Sequence, residues 1–232
     1  MKVSARMAVV ALAAVLALTV AASHPAAAEG FIGGGGFDLR YWAPDVTEVN
    51  AALQKAGMPT LSGGMMMYGG GGLGGELKGL RFGGFGTGGD ITATNGDLKS
   101  ILSFGFGGST FEYGWPVNDV FTLSTGVALG FGGMDLTTIH AKPGDLQDAL
   151  KTPVETHLSR FAVVAEPSVA VSARLAPFFV LRLQAGYLAP WFVGSWTTTA
   201  GQDLGRDITL KPGPSVALSF VFGASGTGEM PQ

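Results

Sequence analysis

The sequence predicts an all-β chain: a single up-and-down antiparallel transmembrane β-barrel of about eight strands, preceded by a cleavable signal peptide. Three observations point there. Charged residues make up only 13% of the chain against 47% apolar ones, whereas an ordinary soluble domain carries about 25% charge. Beyond the first segment, no run long enough to span a bilayer as a helix is free of charge and proline. The closest, "LAPFFVLRLQAGYLAPWFVG" from Leu175 to Gly194, holds Arg182 between Pro177 and Pro190. Instead, oily side chains recur at every second position, the period of a strand with two unlike faces.

The chain opens as an export signal. Lys2 and Arg6 give a positive start, Met7 to Ala22 form an uncharged, mostly apolar run, and Ala26-Ala27-Ala28 offers a cleavage site before Glu29. The expected organisation is a signal peptide at 1–28, a barrel at 29–224 and a flexible tail at 225–232. Without Lys2 and Arg6, 12 basic residues face 17 acidic ones, a net charge of −5. No basic stripe is present for nucleic acid. There is no cysteine, which excludes disulfides, thiolate metal sites and a lipid-modified cysteine. No cofactor is expected.

Strands are expected near 30–43, 64–77, 80–94, 98–114, 119–139, 157–176, 178–199 and 214–224. The clearest is "SRFAVVAEPSVAVSARL": Phe161, Val163, Val169, Val171 and Leu175 share one face, while Arg160, Glu166 and Arg174 lie on the other. A helix would scatter those charges; a strand separates them. In the next strand Phe179, Leu181, Leu183, Tyr187, Trp191 and Val193 oppose Arg182 and Gln184. Phe121, Leu123, Val127, Leu129 and Phe131 alternate with Thr122, Ser124 and Gly126. Val216, Leu218, Phe220 and Phe222 alternate with small residues, and Phe37, Leu39 and Tyr41 oppose Asp38 and Arg40.

Met65 to Asp90, "MMMYGGGGLGGELKGLRFGGFGTGGD", holds twelve glycines. It reads as a hairpin turning at Lys78-Gly79, with Met65, Met67, Leu73 and Leu77 on one parity and Glu76 on the other. Phe82 and Phe85 break parity, which a bulge at Gly83-Gly84 would accommodate. A similar slip is expected near Gly107-Gly108. Gly69, Gly71 and Gly74 match a dinucleotide-binding spacing, but a hairpin follows rather than the helix such a site needs. A disordered linker would carry serine or charge where Met, Leu and Phe stand.

Connections alternate in length. Lys78-Gly79, "WPVND" and "LAP" are tight; 44–63, 140–156 and 200–213 are long, with "NGD" at 95–97 the short member of that set. Tight turns on one side and long loops on the other, with both ends on the tight side, is the outer-membrane pattern. In the first long loop, Asp45 as N-cap, Glu48 three residues later and Gly57 as stop predict a short helix.

On this pattern the chain resembles the small eight-stranded outer-membrane β-barrels of Gram-negative bacteria. "KPGPSVALSF", with Lys211, Gly213, Val216, Leu218 and Phe220, is similar to their closing-strand signal, though the chain runs on through "GASGTGEMPQ". The resemblance implies residence in the outer membrane, contact with its lipids and handling by the barrel assembly machinery.

Eight strands leave an interior just wide enough for side chains. Asp38, Arg40, Glu76, Arg160, Glu166, Arg174 and Arg182 are expected to point inward as a lumen charge network. They would plug a polar lumen in a barrel of structural or loop-recognition role, or else line a narrow ion-conducting passage. A third reading is an outer-leaflet lipid hydrolase using His157 and Ser159, since a His-x-Ser pair occurs in lipid A deacylase barrels. His140 and His157 lack a third metal ligand.

Overall fold

The computed structural model describes residues 30–140 and 155–226. The signal segment, most of the 140–156 loop and the last six residues of the expected tail lie outside the described residues. Eight strands pair in chain order and close into a barrel. They are β1 (Phe31–Trp42), β2 (Met65–Glu76), β3 (Gly79–Asn95), β4 (Leu98–Pro116), β5 (Phe121–Ile139), β6 (Glu155–Ala176), β7 (Phe179–Thr198) and β8 (Gly213–Gly226). One helix, α1 (Thr47–Lys55), sits between β1 and β2. Closure is made by β1 on β8, with Trp42 opposite Ser215 and Phe31 opposite Gly226, so no unpaired sheet edge remains. That pairing also carries β8 through Ser225 and Gly226, two residues into the expected tail.

The two-residue rhythm separates the faces. Phe161 is 50% exposed while its neighbour Arg160 is 6% exposed. Phe37, Tyr68, Phe82, Phe131, Leu183, Trp191 and Phe222 likewise stand on the outside, and Arg40, Arg81, Glu112 and Glu166 are buried within. A barrel bathed in water would show the opposite arrangement.

The glycine-rich quarter departs from expectation. Pairing of β2 with β3 and of β3 with β4 is continuous through Gly83-Gly84, and pairing of β4 with β5 is continuous through Gly107-Gly108. No bulge is needed because Phe85 points into the lumen, edge-on to Phe106 at 5.2 Å, while Phe82 points out. The tight turn is Leu77-Lys78, one residue earlier than expected. Met65 and Met67 are fully buried and Met66 and Tyr68 exposed, so β2 turns its odd positions inward. Glycine serves here because neighbouring strands run close together: a Cβ on Gly36 would overlap the Phe220 carbonyl of β8, and one on Gly69 would overlap Thr87 of β3.

Register shifts occur instead between β6 and β7, at Ser159/Phe161 and Arg174/Ala176. At the first, β7 bulges through Gly194, whose φ of +78° suits glycine and strains other residues.

Helix α1 begins one residue later than a cap at Asp45 would place it. Val46 is the N-cap, and Asp45 accepts hydrogen bonds from the Thr47 amide at 2.9 Å and the Thr47 hydroxyl at 2.5 Å. Gly57, with φ +70°, follows the end of the helix. Val49 and Leu53 are its buried residues. They belong to one apolar cluster with Trp42, Met58, Leu61, Met65 and Leu210, so the helix lies across the long-loop mouth of the barrel.

Candidate functional site

The lumen is built in layers. Nearest the tight turns, Arg81 and Arg182 share the Glu112 carboxylate: Arg81 Nη1 donates to Oε1 at 3.2 Å, and Arg182 donates to Oε1 at 3.1 Å and Oε2 at 2.6 Å. Arg81 also donates to the Glu76 carbonyl at 2.8 Å and the Leu77 carbonyl at 2.5 Å. It thereby satisfies carbonyls of the turn between β2 and β3. Midway up, Arg40 pairs with Glu166, which also accepts from the Ser215 hydroxyl, and Asp38 lies 3.8 Å from Arg40. Low-dielectric burial makes each lone charge costly, so carboxylates and guanidinia occur together. A cavity of about 110 Å³ separates the two groups, lined by Asp38, Arg40, Arg81, Glu112 and Arg182.

Above this the lumen changes character. Trp42, Met65, Met67, Leu102, Phe104, Phe106, Met134, Val164 and Leu188 are buried in one cluster. Trp42 packs on Phe104 with ring centres 5.0 Å apart, and Phe104 on Phe106 at 5.7 Å. The expected polar lumen is thus polar only in its lower part. Arg160 crosses the apolar layer by a different device: it donates to the carbonyls of Gly194 at 3.1 Å, Arg206 at 3.2 Å and Ile208 at 2.9 Å, with its guanidinium 5.4 Å from the Phe192 ring centre. It thus ties the loop between β7 and β8 to the wall.

Of the residues expected inside, Asp38, Arg40, Glu166 and Arg182 meet in or beside the two ionic groups, and Arg160 stands apart. Glu76 is exposed at the foot of β2; the parity that turns Met65 and Met67 inward turns it out. Arg174 sits at the tight-turn rim beside the register shift and donates to the Asp119 carbonyl at 2.6 Å. Sequence reasoning missed Arg81 and Glu112. The signal was there: "LRF" and "FEY" each set a charge between two large apolar residues, as "FDLRY" does.

His157 and Ser159 face outward near the long-loop rim but do not bond each other. His157 Nδ1 is 3.0 Å from the Thr137 hydroxyl and Nε2 is 3.5 Å from Asp135, while Ser159 bonds the Thr197 hydroxyl at 3.1 Å. His140 bonds Thr138 at 3.2 Å. Among the described residues no cluster of three or more His, Asp or Glu is placed to hold a metal ion.

The mouth is a folded platform. Glu48 of α1 accepts from the Thr209 amide at 3.1 Å and its hydroxyl at 2.8 Å, and pairs with Lys211 at 3.2 Å. These contacts hold the Glu48 carboxyl below the ordinary carboxylate range, the Thr209 hydrogen bond most strongly. Asp45 is also held low, by its bonds to Thr47. Asn50 brackets Leu61 by donating to its carbonyl and accepting from its amide, both at 2.8 Å.

No family model matches the chain, and no curated protein matches it. Among solved structures it is similar to Ail, the attachment invasion locus protein of Yersinia pestis, crystallised with the heparin analogue sucrose octasulfate. That likeness has 9% identity and a TM-score of 0.47, over 84% of this chain and 97% of that one. A second Ail structure gives a TM-score of 0.46 over the same shares. In architecture the chain is a small eight-stranded β-barrel of the outer-membrane kind.

Proposed function

We propose that the protein is an integral outer-membrane barrel that does not conduct and that offers its long-loop end as a recognition surface. The observation that carries this reading is the layering of the lumen, with ion pairs below and a packed apolar plug above, roofed by α1. Such a lumen spends its side chains on rigidity, and a rigid barrel holding a structured loop platform is how scaffolds carry recognition. The membrane part of the reading rests on the outer face. From Phe161 to Leu175 every outward position of β6 is uncharged. At about 3.3 Å per residue along a tilted strand, that run suffices for the roughly 25 Å apolar band of an outer-membrane barrel. Tyr41, Tyr68, Tyr187 and Trp191 lie outward toward the long loops and Tyr113 and Trp115 toward the tight turns, the placement of interfacial girdles. Outer-membrane lipids and, during biogenesis, the barrel assembly machinery are then its expected partners.

Orientation and embedding are tested together, because the native chain has no cysteine. Gln54→Cys, on the exposed side of α1, is expected to react with a membrane-impermeant maleimide on intact cells. Asn118→Cys, in a tight turn, is expected to react only after permeabilisation, and both variants should stay in the membrane through alkaline carbonate. Release by carbonate, or the reversed labelling order, overturns the reading.

A further inference from the structure

Where β6 and β7 part at the Gly194 bulge, a groove of about 550 Å³ opens on the outside of the barrel, its lining including Gly133, Asp135, Phe161, Val193, Asp203 and Arg206. Its lower part is apolar, with Phe161 and Val193 both about half exposed and Phe131 stacked on Phe161 at 6.0 Å. Its upper part is polar and carries both signs of charge. Arg206 is anchored through its backbone carbonyl to Arg160, but its guanidinium is exposed and makes no ion pair or hydrogen bond among the described residues. The Asp203 carboxylate is likewise exposed and unpaired among them, and Asp135 faces the same groove beside His157. The hydroxyls of Ser159 and Thr197 stand between them, bonded only to each other's strand.

We propose that this groove is a lipid site selective for a zwitterionic phosphate-and-amine headgroup. An acyl chain would lie over Gly133 against Phe161 and Val193, the phosphate would face Arg206, and the amine would face Asp203 and Asp135. Charge complementarity decides the class: an anionic phosphate ester without an amine gains Arg206 but meets two carboxylates, and a plain cation leaves Arg206 unmatched. Glycine at 133 makes the room. A Cβ there has only the Arg160 carbonyl near it, at 3.8 Å, so packing of the barrel does not require glycine at that position. The inference rests on the membrane reading above.

Native mass spectrometry of the full barrel in a non-ionic detergent tests it, with short-chain phosphatidylethanolamine or phosphatidylglycerol of equal chain length added. The wild type is expected to retain one phosphatidylethanolamine with at least about tenfold preference. Gly133→Leu, whose Cβ would meet only the Arg160 carbonyl at 3.8 Å, is expected to lose that retention. Gly86→Leu, equally outward and with open space around it, is expected to keep it. Arg206→Gln with Asp203→Asn is expected to abolish the preference between headgroups. Equal retention by Gly133→Leu and wild type, or equal retention of the two lipids by wild type, overturns the site. Carbonate extraction of the same proteins separates the two failures: a barrel that stays in the membrane without a preferred lipid defeats only the groove, and one that is released defeats the membrane reading beneath it.

Discussion

Glu112 holds two arginines at once, and both partners are largely withdrawn from water. Removing such a shared anion leaves uncompensated cations inside the barrel, which costs about 3–5 kcal/mol. Glu112→Gln is therefore expected to lower the free energy of urea unfolding in vesicles by that amount, and an unchanged midpoint would assign the trio no structural weight. Glu48 shows the complementary case at the surface. Its folded carboxyl is depressed by Thr209 first and Lys211 next, so its contribution is present above the ordinary range near pH 4.5 and is lost as pH falls through the lower folded value. Protection of the Thr209 amide, corrected for intrinsic exchange, is expected to drop on acidification below that range. Glu48→Gln should remove this pH dependence; a drop of equal size in the variant would place the titrating group elsewhere. The limits of residue-level reading from sequence have a clear cause. Arg40, Glu166 and Arg182 were legible because bulky neighbours mark the faces of their strands. Glu76 was misplaced because four glycines precede Leu73 and erase the parity of β2.

Among the elements, β7 is distinguished by the bulge at Gly194. Just beyond it the buried Trp196 donates from its indole nitrogen to the Ile208 carbonyl at 2.9 Å. The Gly194 carbonyl itself accepts from Arg160. A β-branched residue in that left-handed conformation is strained by roughly 1–3 kcal/mol. Gly194→Val is expected to destabilise the barrel by that range in the same urea assay and to quench or shift the Trp196 fluorescence, whereas a neutral outcome would mean the bulge relocates at no cost. Nothing in "VGSWTTTAG" announces this bulge over the positions suspected in β3 and β4. A glycine marks where a register shift is permitted, and the pairing of two whole strands decides where one occurs.

At the scale of the molecule, the packed upper lumen makes a specific demand. In planar bilayers the protein is expected to be silent. Val49→Asp with Leu53→Asp, which should lift α1 from the mouth, is expected to remain silent because Trp42, Phe104 and Phe106 still block the way beneath. Conductance steps after that change would make α1 the seal and the layer below it a passage. The sequence by itself determined the closed eight-stranded barrel and its apolar exterior, because a two-residue period and alternating loop lengths are local and survive without any tertiary information. The tertiary structure alone decided which inward residues share a height. Strand tilt and stagger brought Arg40 to Glu166, 126 residues away, and Arg182 to Glu112, 70 residues away. They also gathered the inward methionines and aromatics into a plug, since parity assigns a face but only closure of the sheet assigns a level.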